Sequence, residues 1–165
     1  MSQSTARGNR IYKQSDNESV VVKQSGSIPN VADPVTAEIT ADAQTSEILV
    51  RGVKKLSVFI DVTANAGAAF LYIKFRFSDK KSPSVSTPTD WGSVMVDDID
   101  AATGISSAQE YLLKIDLDNV NGTANANVPR RYCTRIEQIS GIWASALVYS
   151  DGDGTVGSVT FVRHS

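Results

Sequence analysis

The chain has 165 residues, with 16 lysines and arginines against 18 aspartates and glutamates, and a formal net charge of −2. This length predicts one domain whose core needs no metal or disulfide, and a single cysteine, Cys133, cannot form an internal disulfide. The near-balanced charge gives no general attraction to nucleic acid or anionic membranes. No apolar run approaches the roughly 20 residues that cross a bilayer, and no secretory signal is expected.

A shift in composition divides the sequence near residue 45. Residues 1–45 are rich in Ser, Gln, Asn, Thr and Asp, and their one compact apolar cluster is Val20, Val21 and Val22. A segment with so few apolar residues buries too little surface to offset its ordering entropy. We therefore predict an extended polar N-terminal arm over residues 1–45, ordered by a partner chain, followed by a folded domain over residues 46–165.

The second part of the chain alternates apolar and polar residues with a period of two, which is typical of half-buried strands. The runs that predict strands are 56–62, 71–77, 111–117, 131–139, 142–149 and 158–162. The first two runs flank an Asn- and Gly-containing loop and predict a β-hairpin, whereas residues 78–90, 97–108 and 119–127 predict loops. Together these signals predict an all-β, antiparallel β-sandwich, for which a jelly-roll topology is preferred although the strand order cannot be read.

Candidate catalytic and metal-binding residues are sparse. The turn Asp151-Gly152-Asp153-Gly154 resembles part of a calcium loop but lacks a closing Glu, so a hairpin turn is favoured, with an ion as the open alternative. Acidic pairs at 97–100 and 116–118 fall in or beside predicted loops, and His164, the only histidine, has no evident catalytic partner. We therefore predict no enzyme activity, no cofactor and no metal site.

A short basic stretch is the nearest feature to a nucleic-acid site. Three arginines flank an aromatic residue and the cysteine in the segment Arg130-Arg131-Tyr132-Cys133-Thr134-Arg135. Such an arrangement can hold single strands, but cations on an edge strand also prevent unwanted sheet pairing. We favour the edge strand, and nucleic acid is not an expected partner.

The aromatic residues of the first two runs indicate a protein interface. Leu71, Ile73, Phe75 and Phe77 account for a core-facing side. Aromatic residues then fall on the opposite side, where a solvated sheet should be polar. The predicted interface residues, including the valines of the arm, are Val20, Val21, Val22, Phe59, Phe70 and Tyr72. The alternative is that other segments of the same chain cover them.

Two stretches of this sequence resemble small structural proteins of tailed-phage virions. They are Val53-Lys54-Lys55-Leu56-Ser57-Val58-Phe59-Ile60-Asp61-Val62-Thr63 and Tyr72-Ile73-Lys74-Phe75-Arg76-Phe77-Ser78-Asp79, followed by a loop that contains Trp91. The resemblance implies a virion component made in the host cytoplasm, first a capsid decoration (cement) protein and then a neck, tail or fibre protein. It also implies other virion proteins as partners, above all the major capsid protein, and a homo-oligomer such as a trimer.

A carbohydrate-binding module is the alternative from another functional class. It would also be a β-sandwich, with exposed aromatic side chains as sugar platforms. The candidates are Phe59, Phe70, Tyr72, Trp91 and Trp143, of which Trp143 lies in an apolar run and is expected in the core. An enzyme that uses a pair of acidic residues in a cleft ranks third.

Overall fold

Nearly every element of the chain is a β-strand. The computed structural model describes residues 18–65, 68, 70–99, 106–117, 130–137 and 139–165. In chain order the strands are β1 (Glu18–Ser27), β2 (Ile48–Leu49), β3 (Lys55–Ala64), β4 (Phe70–Ser78), β5 (Gly92–Ser93), β6 (Met95–Ile99), β7 (Ser106–Glu110), β8 (Leu113–Asp116), β9 (Arg130–Ile136), β10 (Trp143–Ser150) and β11 (Val156–His164). One 3-10 turn, Pro88–Asp90, precedes β5.

The strands form two antiparallel sheets that pack face to face. The first sheet has the order β1-β11-β3-β9. The second has the order β2-β10-β4, with β5 and β8 both pairing the far side of β4. Apart from the β6–β7 hairpin inserted between β5 and β8, each sheet interleaves early and late strands of the chain in the jelly-roll arrangement. The predicted all-β jelly-roll sandwich is confirmed.

The core lies between the sheets and is built from alternate residues of the long strands. On β3, Leu56, Val58 and Ile60 are 0% exposed. The inward residues of β4, β10 and β11 pack against them: Leu71, Ile73, Phe75, Phe77, Ala144, Ala146, Val148, Val159 and Phe161. Since side chains alternate across a strand, this pattern sends the intervening residues to the two outer faces.

The hairpin predicted from the first two runs is wrong. β3 pairs with β11 and β9, whereas β4 pairs with β10, β5 and β8 in the other sheet. β3 and β4 therefore lie in different layers of the sandwich. The alternation shows which side of each strand is buried, but two strands that face each other across a core have the same alternation as two strands paired side by side.

The described part of the predicted arm, residues 18–45, belongs to the sandwich. β1 pairs with β11 along its length, and Val22 and Ile28 enter the main core. Further along, Gln44 and Asn30 bridge to β10. Residues 1–17 lie outside the described residues, so the arm that remains as a prediction is limited to them.

The segment 97–108, expected as a loop, contributes the paired strands β6 and β7. These two strands pair only with each other in the described part of the chain. The prediction missed them because the segment lacks the alternating apolar residues that identify a half-buried strand. Of the other expected loops, 78–90 is a loop from residue 79 onward and contains the 3-10 turn, whereas 119–127 lies outside the described residues.

Candidate protein-interaction face

The outer face of the β10–β4 sheet, here called the closed face, is covered by the chain itself. Leu147 and Tyr149 of β10 form a second apolar cluster with Ala43, against which further side chains pack: Val31, Ala37, Ile39 and Tyr72. Tyr149 is 0% exposed, and its hydroxyl donates a hydrogen bond of 3.1 Å to the carbonyl of Glu38. Burial raises the pKa of the Tyr149 hydroxyl. The segment 31–43 thus seals this half of the face.

Along β4, the closed face includes two cationic side chains, Lys74 and Arg76. Lys74 is 5% exposed. Its Nζ donates to the Val35 carbonyl at 2.7 Å and lies 3.3 Å from the Glu110 carboxylate. A lysine and an arginine at this end of the sequence run would by themselves predict a hydrated surface. The structure contradicts that interpretation, because the cover segment and the end of β7 supply the partners that the Lys74 cation would otherwise find in water.

Arg76 is enclosed in the same way by the loop 79–91. It is 3% exposed, its Nε donates to Ser145 Oγ at 3.1 Å, and its Nη1 donates to the Val85 carbonyl at 3.3 Å. The guanidinium lies 5.1 Å from the centre of the Trp91 ring. Burial lowers the pKa of Arg76 to about 10.

The outer face of the other sheet, here called the open face, carries a row of four residues across all four strands. The strand register places Val21, Thr160, Phe59 and Cys133 side by side. Val21 is 48% exposed and Phe59 is half-buried. The next row contains Val162. Among the described residues, neither apolar cluster includes Val21, Phe59 or Val162.

Charged side chains form one rim of the open face. The Arg131 guanidinium lies 4.8 Å from the centre of the Phe59 ring and 3.4 Å from Asp61. Arg131, Arg135 and Cys133 are exposed on β9, which is an edge strand in the sheet order. An apolar centre with an aromatic group, bordered by arginine, is the composition that protein interfaces favour.

The structure separates the interface residues that the sequence placed together. Phe59 lies on the open face, whereas Tyr72 packs within the closed face. Phe70 is beside Tyr72, with ring centres 6.3 Å apart, and Lys114 lies 3.9 Å from the centre of its ring. Tyr72 is therefore covered by other segments of the same chain, which was the alternative to a protein interface.

The valines of β1 divide in the same manner. Val22 is 3% exposed in the core, and Val20 packs against that core. Of the three valines, only Val21 faces outward. It lies in the same row as Phe59, with Thr160 of β11 between them. The sequence prediction did not include Thr160 and Val162. The period-two alternation with the core residues Val159 and Phe161 is the signal that places both on the outer face.

The candidate ion-binding and nucleic-acid-binding residues make hydrogen bonds or packing contacts within the chain. Asp151 accepts a hydrogen bond from the Phe70 amide at 2.9 Å, and Asp153 accepts one from Asn30 at 3.1 Å. Within the described residues, no group of three or more His, Cys, Asp or Glu side chains is placed to hold a metal ion. Tyr132 packs on the core, away from the exposed Arg131 and Arg135, so the aromatic residue does not stand between arginines on one surface.

Trp143 was predicted to lie in the core, and that prediction is wrong. It is half-buried, and its register beside Ser145 and Leu147 places it on the outer side of β10. It borders a cavity of about 270 Å³ whose other walls are Leu49, Arg51, Asp79, Lys81 and Ile142. Trp91 instead donates its ring N–H to the Ser84 carbonyl at 2.9 Å.

Comparisons with known proteins leave the chain without an assigned family. No protein family matches the sequence, and a search of curated proteins gives no significant relative. In the described part of the chain, no helix is long and apolar enough to span a bilayer. The open face is therefore the feature on which a functional proposal has to rest.

Proposed function

We propose that this protein is a non-enzymatic structural component of a tailed-phage virion, a capsid decoration protein that binds the major capsid protein through the open face. The observation that carries the proposal is the contrast between the two outer faces of one jelly roll. Two segments of the chain cover the closed face. On the open face, among the described residues, Val21, Phe59 and Val162 belong to neither apolar cluster, and Val21 is 48% exposed.

The physical chemistry of the open face suits a repeated, moderate interaction. Its apolar centre is narrow, since four strands span roughly 15 Å at the usual spacing of neighbouring strands. A contact of that width gives modest affinity by itself. On a lattice, however, each contact raises the effective concentration of the next, so a small face and a second attachment bind far more tightly than either alone.

Residues 1–17 supply the candidate second attachment. They precede β1, an edge strand of the sheet that carries the open face. Their sequence is polar, with Ile11 and Tyr12 as an apolar pair. In this proposal the segment binds a neighbouring subunit, as polar segments of low hydrophobicity can do. Self-association, as a trimer or another cyclic oligomer, would present several open faces together.

The test uses virions produced with and without the coding gene, to which purified protein is added back. The full-length chain should cosediment with capsids, reach a fixed number of copies per particle, and raise the temperature at which DNA is released. Val21→Asp should abolish binding, while Val35→Asp should not, because Val35 is equally accessible at 56% exposure but belongs to the segment over the closed face.

Deletion of residues 1–17 should weaken capsid binding and leave the sandwich folded, which circular dichroism checks. Association with purified tails and not with capsids would replace the decoration role by a neck, tail or fibre role. Absence of the protein from both kinds of particle would reject the proposal.

One observation favours the carbohydrate-binding alternative. The cavity beside Trp143 combines an aromatic surface with three charged side chains, Arg51, Asp79 and Lys81, and sugar-sized sites combine an apolar wall with a few polar groups. Specific binding on a glycan array that is lost in Trp143→Ala and kept in Trp91→Ala would support this function.

A further inference from the structure

We infer that a cavity at one end of the open face is a binding site for an oxyanion, either a phosphate or a carboxylate group. The cavity has a volume of about 330 Å³ and is lined by Lys54, Lys55, Arg135, His164 and Ser165. These residues are here called the cationic cavity. The inference goes beyond the proposed function and does not depend on it.

The strand register brings the cations together from separate parts of the chain. Lys55 at the start of β3 lies directly opposite His164 at the end of β11. Two residues further along β3, Ser57 lies opposite Arg135 of β9. Because alternate residues of a strand share a face, Lys55, His164 and Arg135 all lie on the outer side of the sheet.

The walls of the cationic cavity are held before any ligand arrives. Ser57 Oγ and His164 Nε2 are 2.9 Å apart and share a hydrogen bond, which fixes the imidazole. The Lys54 amide donates to the His164 carbonyl at 2.8 Å, which attaches the segment before β3 to the last strand. Strand pairing thus fixes the backbone positions from which the Lys55 and Arg135 side chains extend.

The arrangement concentrates positive charge, which is unfavourable for folding alone. Cations on adjacent strands repel one another, and a local conflict of this kind is expected where a site serves binding. Arg135 has a nearby carboxylate, Glu137, but the pair is 3.8 Å apart with both side chains more than half exposed, so solvent screens it.

Lysine and arginine both bind oxyanions, arginine through two parallel hydrogen bonds and lysine as a compact charge. The cavity has room for one such group with its hydration. A phosphate ion from solution and a carboxylate from an acidic protein segment share this chemistry, and the open face adjoins the cavity through the row of Val162, Ser57 and Arg135.

The test is a titration of the isotope-labelled full-length protein with sodium phosphate at constant ionic strength, followed by amide chemical shifts. We expect saturable shifts at Lys54, Lys55, Arg135 and His164, and binding about tenfold weaker in Arg135→Gln and in Lys55→Gln. Lys55→Arg should retain binding, and Lys80→Gln, which removes an exposed cation outside the cavity, should match the unmodified protein.

Parallel titrations with sodium acetate and a tetraglutamate peptide distinguish the two sources. Tighter binding of the peptide would assign the site to an acidic protein segment, and tighter binding of phosphate would assign it to a free phosphate ion. Shifts that grow linearly without saturation, or that are the same in Arg135→Gln as in the unmodified protein, would overturn the inference. The protein is titrated without any virion, so this failure would leave the proposed function of the open face untouched.

Discussion

The two outer faces of the sandwich are built on similar strands but differ in how far the rest of the chain buries them. On the closed face, Tyr149 is 0% and Lys74 is 5% exposed under segments of the same chain, whereas on the open face Val21 is 48% exposed. The strands beneath both faces alternate in the same way, so the difference comes from the connections. The segments 31–43 and 79–91 lie against the closed face. In the described part of the chain, the connections, more than the strands, therefore decide which outer face of the sandwich is covered.

The largest expected effect tests the cover of the closed face. Tyr149→Ala should lower the free energy of unfolding by about 3–5 kcal/mol, because it removes a fully buried ring and leaves a cavity. Phe59→Ala, the aromatic truncation on the open face, should cost about 1 kcal/mol or less. Urea denaturation measures both, and equal costs would mean that the two faces are equally buried.

The next effect concerns the ion pair under the cover. Glu110→Gln should destabilise the fold by about 1–2 kcal/mol, since it leaves the buried Lys74 ammonium without its carboxylate while Glu110 itself is partly solvated. The double variant Lys74→Met with Glu110→Gln should recover much of that loss, because methionine needs no counter-charge. Failure of the double variant to recover would show that the bond from Lys74 to Val35 matters more.

A pH effect of smaller size should come from Tyr149. Its pKa is raised in the folded protein by burial, so its contribution to stability is fully present below the ordinary tyrosine pKa of about 10 and is lost as the pH rises through the folded value. Tyr149→Phe should therefore reduce the loss of stability above about pH 10. Denaturation curves at pH 8 and at pH 10.5 would show this as a smaller difference than in the unmodified protein.

The smallest effect on stability is expected on the open face itself. Val21→Ser should change the free energy of unfolding by no more than about 0.5 kcal/mol, because the side chain is half exposed. Its neighbour Val22, at 3% exposure, supplies the matched control, and Val22→Ser should cost about 2 kcal/mol or more from burial of an unpaired hydroxyl. A large cost for Val21→Ser would mean that another segment covers the open face.

Sequence reasoning recovered the layer architecture and most of the strands. The alternation in 56–62 and 71–77 identified the buried side of each run, and turn residues such as Gly154, which has a positive φ of 75°, marked the boundary before the last strand. The polar composition of residues 18–45 gave no sign of β1, because an edge strand needs few apolar residues when Val20 and Val22 alone reach the core.

The sequence by itself determined that the chain is an all-β sandwich, because a period of two in apolar residues can bury only one side of each strand. It did not determine which strand pairs with which, and it grouped Phe59 with Tyr72 although they lie on opposite outer faces. The tertiary structure decided both points, since pairing depends on contacts between distant segments. The same contacts brought Val21 beside Phe59 and gathered Lys55, Arg135 and His164 at one end of the open face.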